Sequence, residues 1–192
     1  MIDTILNWDY YLFELFNQRL TNPLFDSVMP WWREAETWIP LYLVLSIYLA
    51  FQYKMKSIIL LGALIACVGA GDFISHHIIK KNVKRPRPCH QASPVVQDVH
   101  LLIKCGRGYS FTSNHATNHF ALATFLIGTL GVRKKWIFWP LLFWAASIAY
   151  GQVYVGVHYP VDILCGAILG SLLGWLFSKS LSNYLYPKSI DA

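Results

Sequence analysis

The chain has 192 residues, of which 55% are hydrophobic, 16% aromatic and only 14% charged, whereas a soluble domain carries about a quarter charged residues. With a mean hydropathy of +0.40 and apolar blocks too long for a soluble core, the expected solvent is the bilayer. The formal net charge of +6 does not argue for nucleic acid, because most basic residues sit at the ends of apolar blocks, where they act as membrane-flanking anchors and topology signals.

In chain order, the first residues, Met1-Ile2-Asp3-Thr4, lack a basic start, and no small-residue cleavage site follows, so no removable signal peptide is expected. Residues 3–20 mix Ile5, Leu6, Trp8, Leu12, Phe13, Leu15 and Phe16 with Asp3, Asp9, Glu14 and Arg19 at helical spacing. That pattern is too polar to span and predicts an interfacial amphipathic helix. Pro23 and Pro30 punctuate the next stretch. Five spanning segments are then predicted, at about Trp38–Tyr53, Ser57–Ile79, His115–Val132, Trp136–Gln152 and Val161–Phe177. Several fall short of the roughly 20 residues of a straight span. Trp38, Trp136 and Trp175 suit the interface. In the last segment Gly166, Gly170 and Gly174 recur every fourth residue, a spacing that lets helices approach closely.

The expected fold is an all-α, polytopic membrane helical bundle with about five to six transmembrane helices and an N-terminal interfacial amphipathic helix. It forms one domain over residues 1–192, with interfacial helices in 1–35 and an active-site loop in 80–112. The short connectors carry Lys54 and Lys56, then Arg133, Lys134 and Lys135, and both are expected in the cytoplasm. The long polar segment and the Gly151–Pro160 segment then share the opposite side, which is what a common site requires.

Three polar clusters interrupt the apolar chain. The first runs from Lys80 to Pro88. Lys80 and Arg87 are seven apart, two helical turns, and Pro86 and Pro88 end any helix there. Two cations on such a segment suit a phosphate; a membrane-flanking basic run is the plainer reading. The second, Ser110-Phe111-Thr112-Ser113-Asn114-His115-Ala116, lies at the start of a helix, where free N–H groups favour an anion and where Ser113 could equally serve as an N-cap. In the third, His158 and Asp162 are four apart around Pro160, a good first-turn residue. A carboxylate holding one imidazole nitrogen leaves the other free to attack; alternatively the pair only caps the helix.

Taken in order, these clusters resemble the three signature segments of the type 2 phosphatidic acid phosphatase superfamily. Lys80 through Arg87-Pro88 matches Lys, six residues, Arg-Pro. Thr112-Ser113-Asn114-His115 stands for Pro-Ser-Gly-His, and His158 and Asp162 match the end of the third segment. The resemblance implies that His158 is a nucleophile forming a phosphohistidine and that Asp162 orients it. His115 would protonate the leaving group and then activate water. Lys80, Arg87, Ser113, Asn114 and nearby N–H groups would hold the phosphoryl oxygens. No metal and no cofactor are implied. The resemblance further implies, as partners, a lipid phosphate substrate (prenyl diphosphate, phosphatidylglycerol phosphate or a lipid A phosphate) and the lipids of a bacterial inner (plasma) membrane, with the site facing the periplasm or outside.

Gly151-Gln152 departs from this pattern, which has Ser-Arg. Gln152 keeps a donor but loses the charge and the bidentate fork of an arginine. Weaker catalysis, a compensating cation such as Arg107 or Arg85, or a lipid-phosphate binder or transporter without turnover all follow as alternatives. Cys67 and Cys165 fall inside apolar segments. Cys89 and Cys105 bracket most of the polar loop, and on an oxidising side they are expected to pair. Among the other histidines, His119 lies one turn beyond His115 and could support it.

Overall fold

The computed structural model describes residues 2–130 and 135–185. Arg133 and Lys134, which carry part of the topology argument, lie outside them, as does the predicted end of the third segment at Val132. All regular structure among the described residues is helical. Helix α1 (Ile2–Glu14) continues through a π-helical turn at Leu15–Arg19. Helix α2 (Pro23–Trp32) starts where the Asn22 side chain accepts from the Phe25 N–H and Pro23 supplies the first turn, the preferred chemistry of a helix start. Helix α3 (Ile39–Tyr53) follows a 3₁₀ turn at Ala35–Trp38. Helix α4 runs unbroken over Lys56–Val83, with a π-helical stretch at Ile74–Ile79. After the long loop come α5 (Asn114–Leu130), α6 (Phe138–Tyr154) and α7 (Pro160–Leu185).

Helix α5 is the centre of the bundle, with Ala116, Ala121 and Phe125 fully buried. It is gripped by α7 through the predicted glycine stripe. A Cβ on Gly170 would stand 2.1 Å from the Thr117 carbonyl oxygen, and one on Gly174 would stand 2.5 Å from that of Ala121. The backbones therefore touch where only glycine fits. The outer surface is apolar: Phe51, Ile65, Phe143 and Ile168 are all exposed. In water this would be an aggregation surface; facing lipid it is the favourable arrangement. Helix α4 and the Pro160–Leu181 part of α7 are long and apolar enough to cross a membrane. Helices α3, α5 and α6 have 15, 17 and 17 residues.

Helix α1 is arranged differently from a helix on a water-soluble core. Asp9, Phe13 and Asn17, one turn apart in succession, are buried, while Ile5, Trp8 and Tyr11 face outward. Its inner face is thus partly polar, and those polar groups have work to do at the site.

Candidate active site

The site forms where the loop after α4 meets the turn between α6 and α7. Lys80 is buried in the last turns of α4, and its Nζ donates to the Tyr109 carbonyl at 3.0 Å. Beyond Pro86, Arg87 Nη1 donates to the Val157 carbonyl at 3.1 Å and lies 3.2 Å from His158 Nε2. Arg87 Nε is buried without a hydrogen-bond partner. A buried donor of this kind is costly unless something binds it, and an anion meets the need. A disulfide between Cys89 and Cys105 closes the loop that carries Arg87. The expected pairing is present, and it brings Gly106 against the guanidinium, where a Cβ would stand 3.5 Å from Arg87 Cζ.

The other half of the site is built by a tight turn after α6. Gly156 has φ +86°, and a side chain there would meet Val99 at 2.7 Å and the His100 carbonyl at 3.1 Å. The N–H groups of Val157 and His158 donate to the Gln152 carbonyl at 3.1 and 3.2 Å. Pro160 then opens α7 and brings Asp162 under the ring of His158. Asp162 Oδ2 accepts from the Tyr159 N–H at 2.9 Å and lies 3.4 Å from His158 Nδ1. At that distance the imidazole contact is long for a hydrogen bond, and Nδ1 has no closer partner. The facing carboxylate favours the tautomer with the proton on Nδ1, so the lone pair of Nε2 points to Arg87 and the cavity.

Burial pushes the His158 imidazole down from 6.5 to about 4, and the charge of Arg87 adds to this while Asp162 opposes it. The ring is therefore neutral at ordinary pH, which a nitrogen nucleophile requires. Asp162 Oδ1 accepts from Arg85 Nη1 at 2.8 Å, and Arg85 Nη2 donates to Asp9 Oδ2 at 2.5 Å. Asp9 also accepts from the Val161 N–H at 2.8 Å. The Arg85 guanidinium stacks 3.9 Å above the Tyr159 ring. Burial works against its charge, but Asp162 and Asp9 outweigh burial and hold its pKa above the usual value.

A cavity of about 440 Å³ receives Lys80, Arg87, His115, Asn114, Gln152 and His158 on its walls, with Arg33, Glu34 and Arg107 alongside. Asn114 and His115 also line a second cavity of about 750 Å³, walled mainly by apolar residues of α3, α4 and α5 such as Leu45, Leu49, Leu64 and Leu122. A cationic chamber and an apolar one thus meet at His115.

Six of the eight residues singled out in the sequence line this chamber, and Asp162 stands behind one of them, His158. Ser113 lies behind the chamber, fully buried; its N–H donates to the Asp162 carbonyl at 3.1 Å and its hydroxyl accepts from the Ala116 N–H at 3.5 Å. Asn114 donates to Asp72 and accepts from the Ser75 hydroxyl. His119 supports His115 through the backbone: its Nδ1 pairs with the His115 carbonyl at 2.7 Å, while Tyr42 holds Nε2 at 3.1 Å. Of the two cations considered as replacements at Gln152, Arg85 is committed to carboxylates and Arg107 sits exposed at the rim. The cation beside Gln152 is Arg33, from the end of α2: its Nε donates to Gln152 Oε1 at 3.1 Å. Arg33 and Asp9 were not legible as site residues. For Asp9 one signal existed, since it shares a helix face with Phe13 and Asn17.

The sequence model of the PAP2 superfamily matches residues 56–185. The chain is 31% identical over 179 residues to lipid A 4'-phosphatase of Bacteroides thetaiotaomicron, covering 92% of this chain and 78% of that protein. It is 26% identical over 166 residues to an undecaprenyl-diphosphatase of Bacillus subtilis, covering 86% and 79%. The crystal structure of Aquifex aeolicus LpxE superposes with a TM-score of 0.69 at 25% identity, covering 90% of this chain and 95% of that one.

Proposed function

The chain belongs to the PAP2 superfamily, and from that premise we propose that it is an integral membrane enzyme hydrolysing a lipid-borne phosphate or diphosphate through a phosphohistidine, without a metal. The observation that carries the reading is the meeting of the two cavities at His115. A phosphate fits among Lys80 and Arg87 beside His158, and the lipid chain fits the apolar chamber between α3, α4 and α5. The names of the relatives, which act on lipid A and on undecaprenyl diphosphate, support a lipid carrier of this kind.

In the proposed reaction, His158 Nε2 attacks phosphorus opposite the leaving oxygen. Arg87, whose Nη1 lies 3.2 Å from Nε2, turns its N–H to a phosphoryl oxygen as the lone pair is used. Lys80 and Asn114 share the remaining charge, and such positioned donors are the main source of rate in phosphoryl transfer. Asp162 stabilises the imidazolium that forms. His115 gives a proton to the leaving oxygen, then takes one from the water that cleaves the P–N bond. Ser113 fixes the start of α5 and, with its neighbouring N–H groups, the placement of His115.

The same reading places five spans in a bacterial inner membrane with the site on the periplasmic side. Lys54 and Lys56 on the opposite connector support that orientation, as does a disulfide in the site loop. The reading of a binder without turnover rests on Gln152 alone, and the arginine beside that residue supports catalysis instead. The test offers lipid A phosphates, a prenyl diphosphate and phosphatidylglycerol phosphate to purified wild type and His158→Ala. Phosphate release by the wild type that His158→Ala abolishes is expected. Equal release by both, or none on any lipid, overturns the proposal.

A further inference from the structure

Gly151 and Gln152 stand where the resemblance leads one to expect Ser-Arg, and both of them face the same residue, Arg33. Gln152 is fully buried. Both ends of its amide are committed to Arg33: Oε1 accepts from Nε at 3.1 Å, and Nε2 donates to the Arg33 carbonyl at 3.4 Å. Gly151 makes the space. A Cβ there would stand 3.2 Å from Arg33 Cβ and 3.6 Å from Met29 Sδ, so that a serine would force Arg33 to give by a few tenths of an ångström. An acceptor at 152 and no side chain at 151 are what a guanidinium arriving from α2 needs.

Helix α2 is itself held against α6. The Tyr154 hydroxyl accepts from the Asn22 N–H at 3.0 Å and donates to Asp26 at 2.7 Å, and Trp32 Nε1 donates to Ser147 at 2.9 Å. Arg33 is 7% exposed, and it shares the cavity with Lys80, Arg87, His115 and His158. Its charge is balanced by Glu34, which is half-exposed at the cavity. A buried cation whose counter-charge lies at the solvent edge can exchange that carboxylate for a phosphate. Arg33 also lies before residue 56, where the match to the superfamily begins.

We infer that Arg33 is the third phosphate-binding cation of this site, delivered from α2 and held in place by Gly151 and Gln152. Arginine charge at this corner of the site comes from an N-terminal helix, and Gln152 is a positioning residue. The inference rests on the proposed phosphatase reading for its catalytic consequence, but phosphate binding tests it separately.

The experiment compares wild type, Arg33→Gln, Arg33→Lys and the exchange variant Arg33→Gln with Gln152→Arg, all as full chains in detergent micelles. Binding of inorganic phosphate is measured by calorimetry, turnover on the wild type's best lipid by phosphate release, and folding by thermal unfolding. Arg33→Gln is expected to weaken phosphate binding and lower kcat/KM by about 100-fold, the usual effect of removing one transition-state donor. Arg33→Lys falls between the two, because it keeps the charge and loses the fork. The exchange variant recovers about tenfold over Arg33→Gln, since the charge returns from α6. The inference is overturned if Arg33→Gln binds phosphate and turns over as wild type does. It is equally overturned if Arg33→Lys and the exchange variant are as defective as Arg33→Gln and all three melt early, the mark of a purely structural contact. If the wild type hydrolyses no lipid, or if His158→Ala remains active, the phosphatase reading fails and the phosphate-binding comparison still decides the role of Arg33.

Discussion

Replacing Asp9 by asparagine removes one charge from the N-terminal helix and leaves the shape of the side chain almost unchanged. Asp9 is buried and accepts two bonds, from Arg85 Nη2 at 2.5 Å and from the Val161 N–H at 2.8 Å. The amide oxygen of asparagine can keep the Val161 bond, but its NH₂ group then faces the guanidinium, donor against donor. The loss is therefore one buried charge-assisted bond, which contributes about 1.5–3 kcal/mol. Arg85 keeps Asp162 as a partner, so the cost stays below the roughly 3–5 kcal/mol of a fully broken buried pair. A loss of about 1.5–3 kcal/mol in a chain of this length lowers the melting temperature by roughly 3–12 °C. The assay is thermal unfolding in micelles followed by tryptophan fluorescence. Activity should fall as well, because Arg85 and Asp162 set the position of His158. Ile5→Ala on the outward face of the same helix serves as control, since Ile5 is 52% exposed. An Asp9→Asn protein that melts and turns over like the wild type would refute the claim that α1 braces the site.

Three further outcomes are expected. NMR of labelled histidine in micelles should find His158 neutral down to a midpoint near pH 4. The unfolded chain takes up this proton near 6.5 and the folded chain only near 4, so this group makes stability rise with pH across that window; a midpoint at 6.5 or above contradicts the burial argument. Replacing Cys89 and Cys105 together by serine opens a loop whose ends are 16 residues apart, which is expected to cost about 3 kcal/mol and to raise KM through Arg87; reductant should reproduce this in the wild type and leave the double variant unchanged. Gly170→Ala places a Cβ 2.1 Å from the Thr117 carbonyl oxygen and should destabilise the bundle by about 3 kcal/mol or more, above the usual range for overpacking because backbone must move; wild-type melting would show that α5 and α7 are not in backbone contact.

The helices were legible because each is a local pattern. Apolar blocks broken by Lys54, Lys56 and Pro160 give α3, α4 and α7 to within a few residues, apart from the run of α4 past Ile79 to Val83 and that of α7 past Phe177. His158 and Asp162 were legible for the same reason, since four residues at a helix start bring two side chains together. The glycine stripe was legible as packing, and its partner, α5, was not. Asp9 and Arg33 were hidden because their partners are distant in sequence: Arg85 is 76 residues from Asp9, and Gln152 is 119 from Arg33. Helix α1 read as an interfacial amphipathic helix, with no sign of which charge would be buried. In a bundle whose outside is lipid, the buried face can carry the polar groups, and Asp9 and Asn17 follow that rule. Gln152 read as a lost charge because a sequence shows which side chain is missing and not which one has taken up its place.

The most direct test of the account is to catch the intermediate. Wild-type enzyme is mixed with a lipid substrate labelled in its phosphate, quenched within the first turnover under alkaline conditions that preserve phosphohistidine, and digested for peptide mapping. The account predicts acid-labile label on the peptide containing His158, and none in His158→Ala. Label on another residue, or steady turnover with no covalent label at any time, would contradict it.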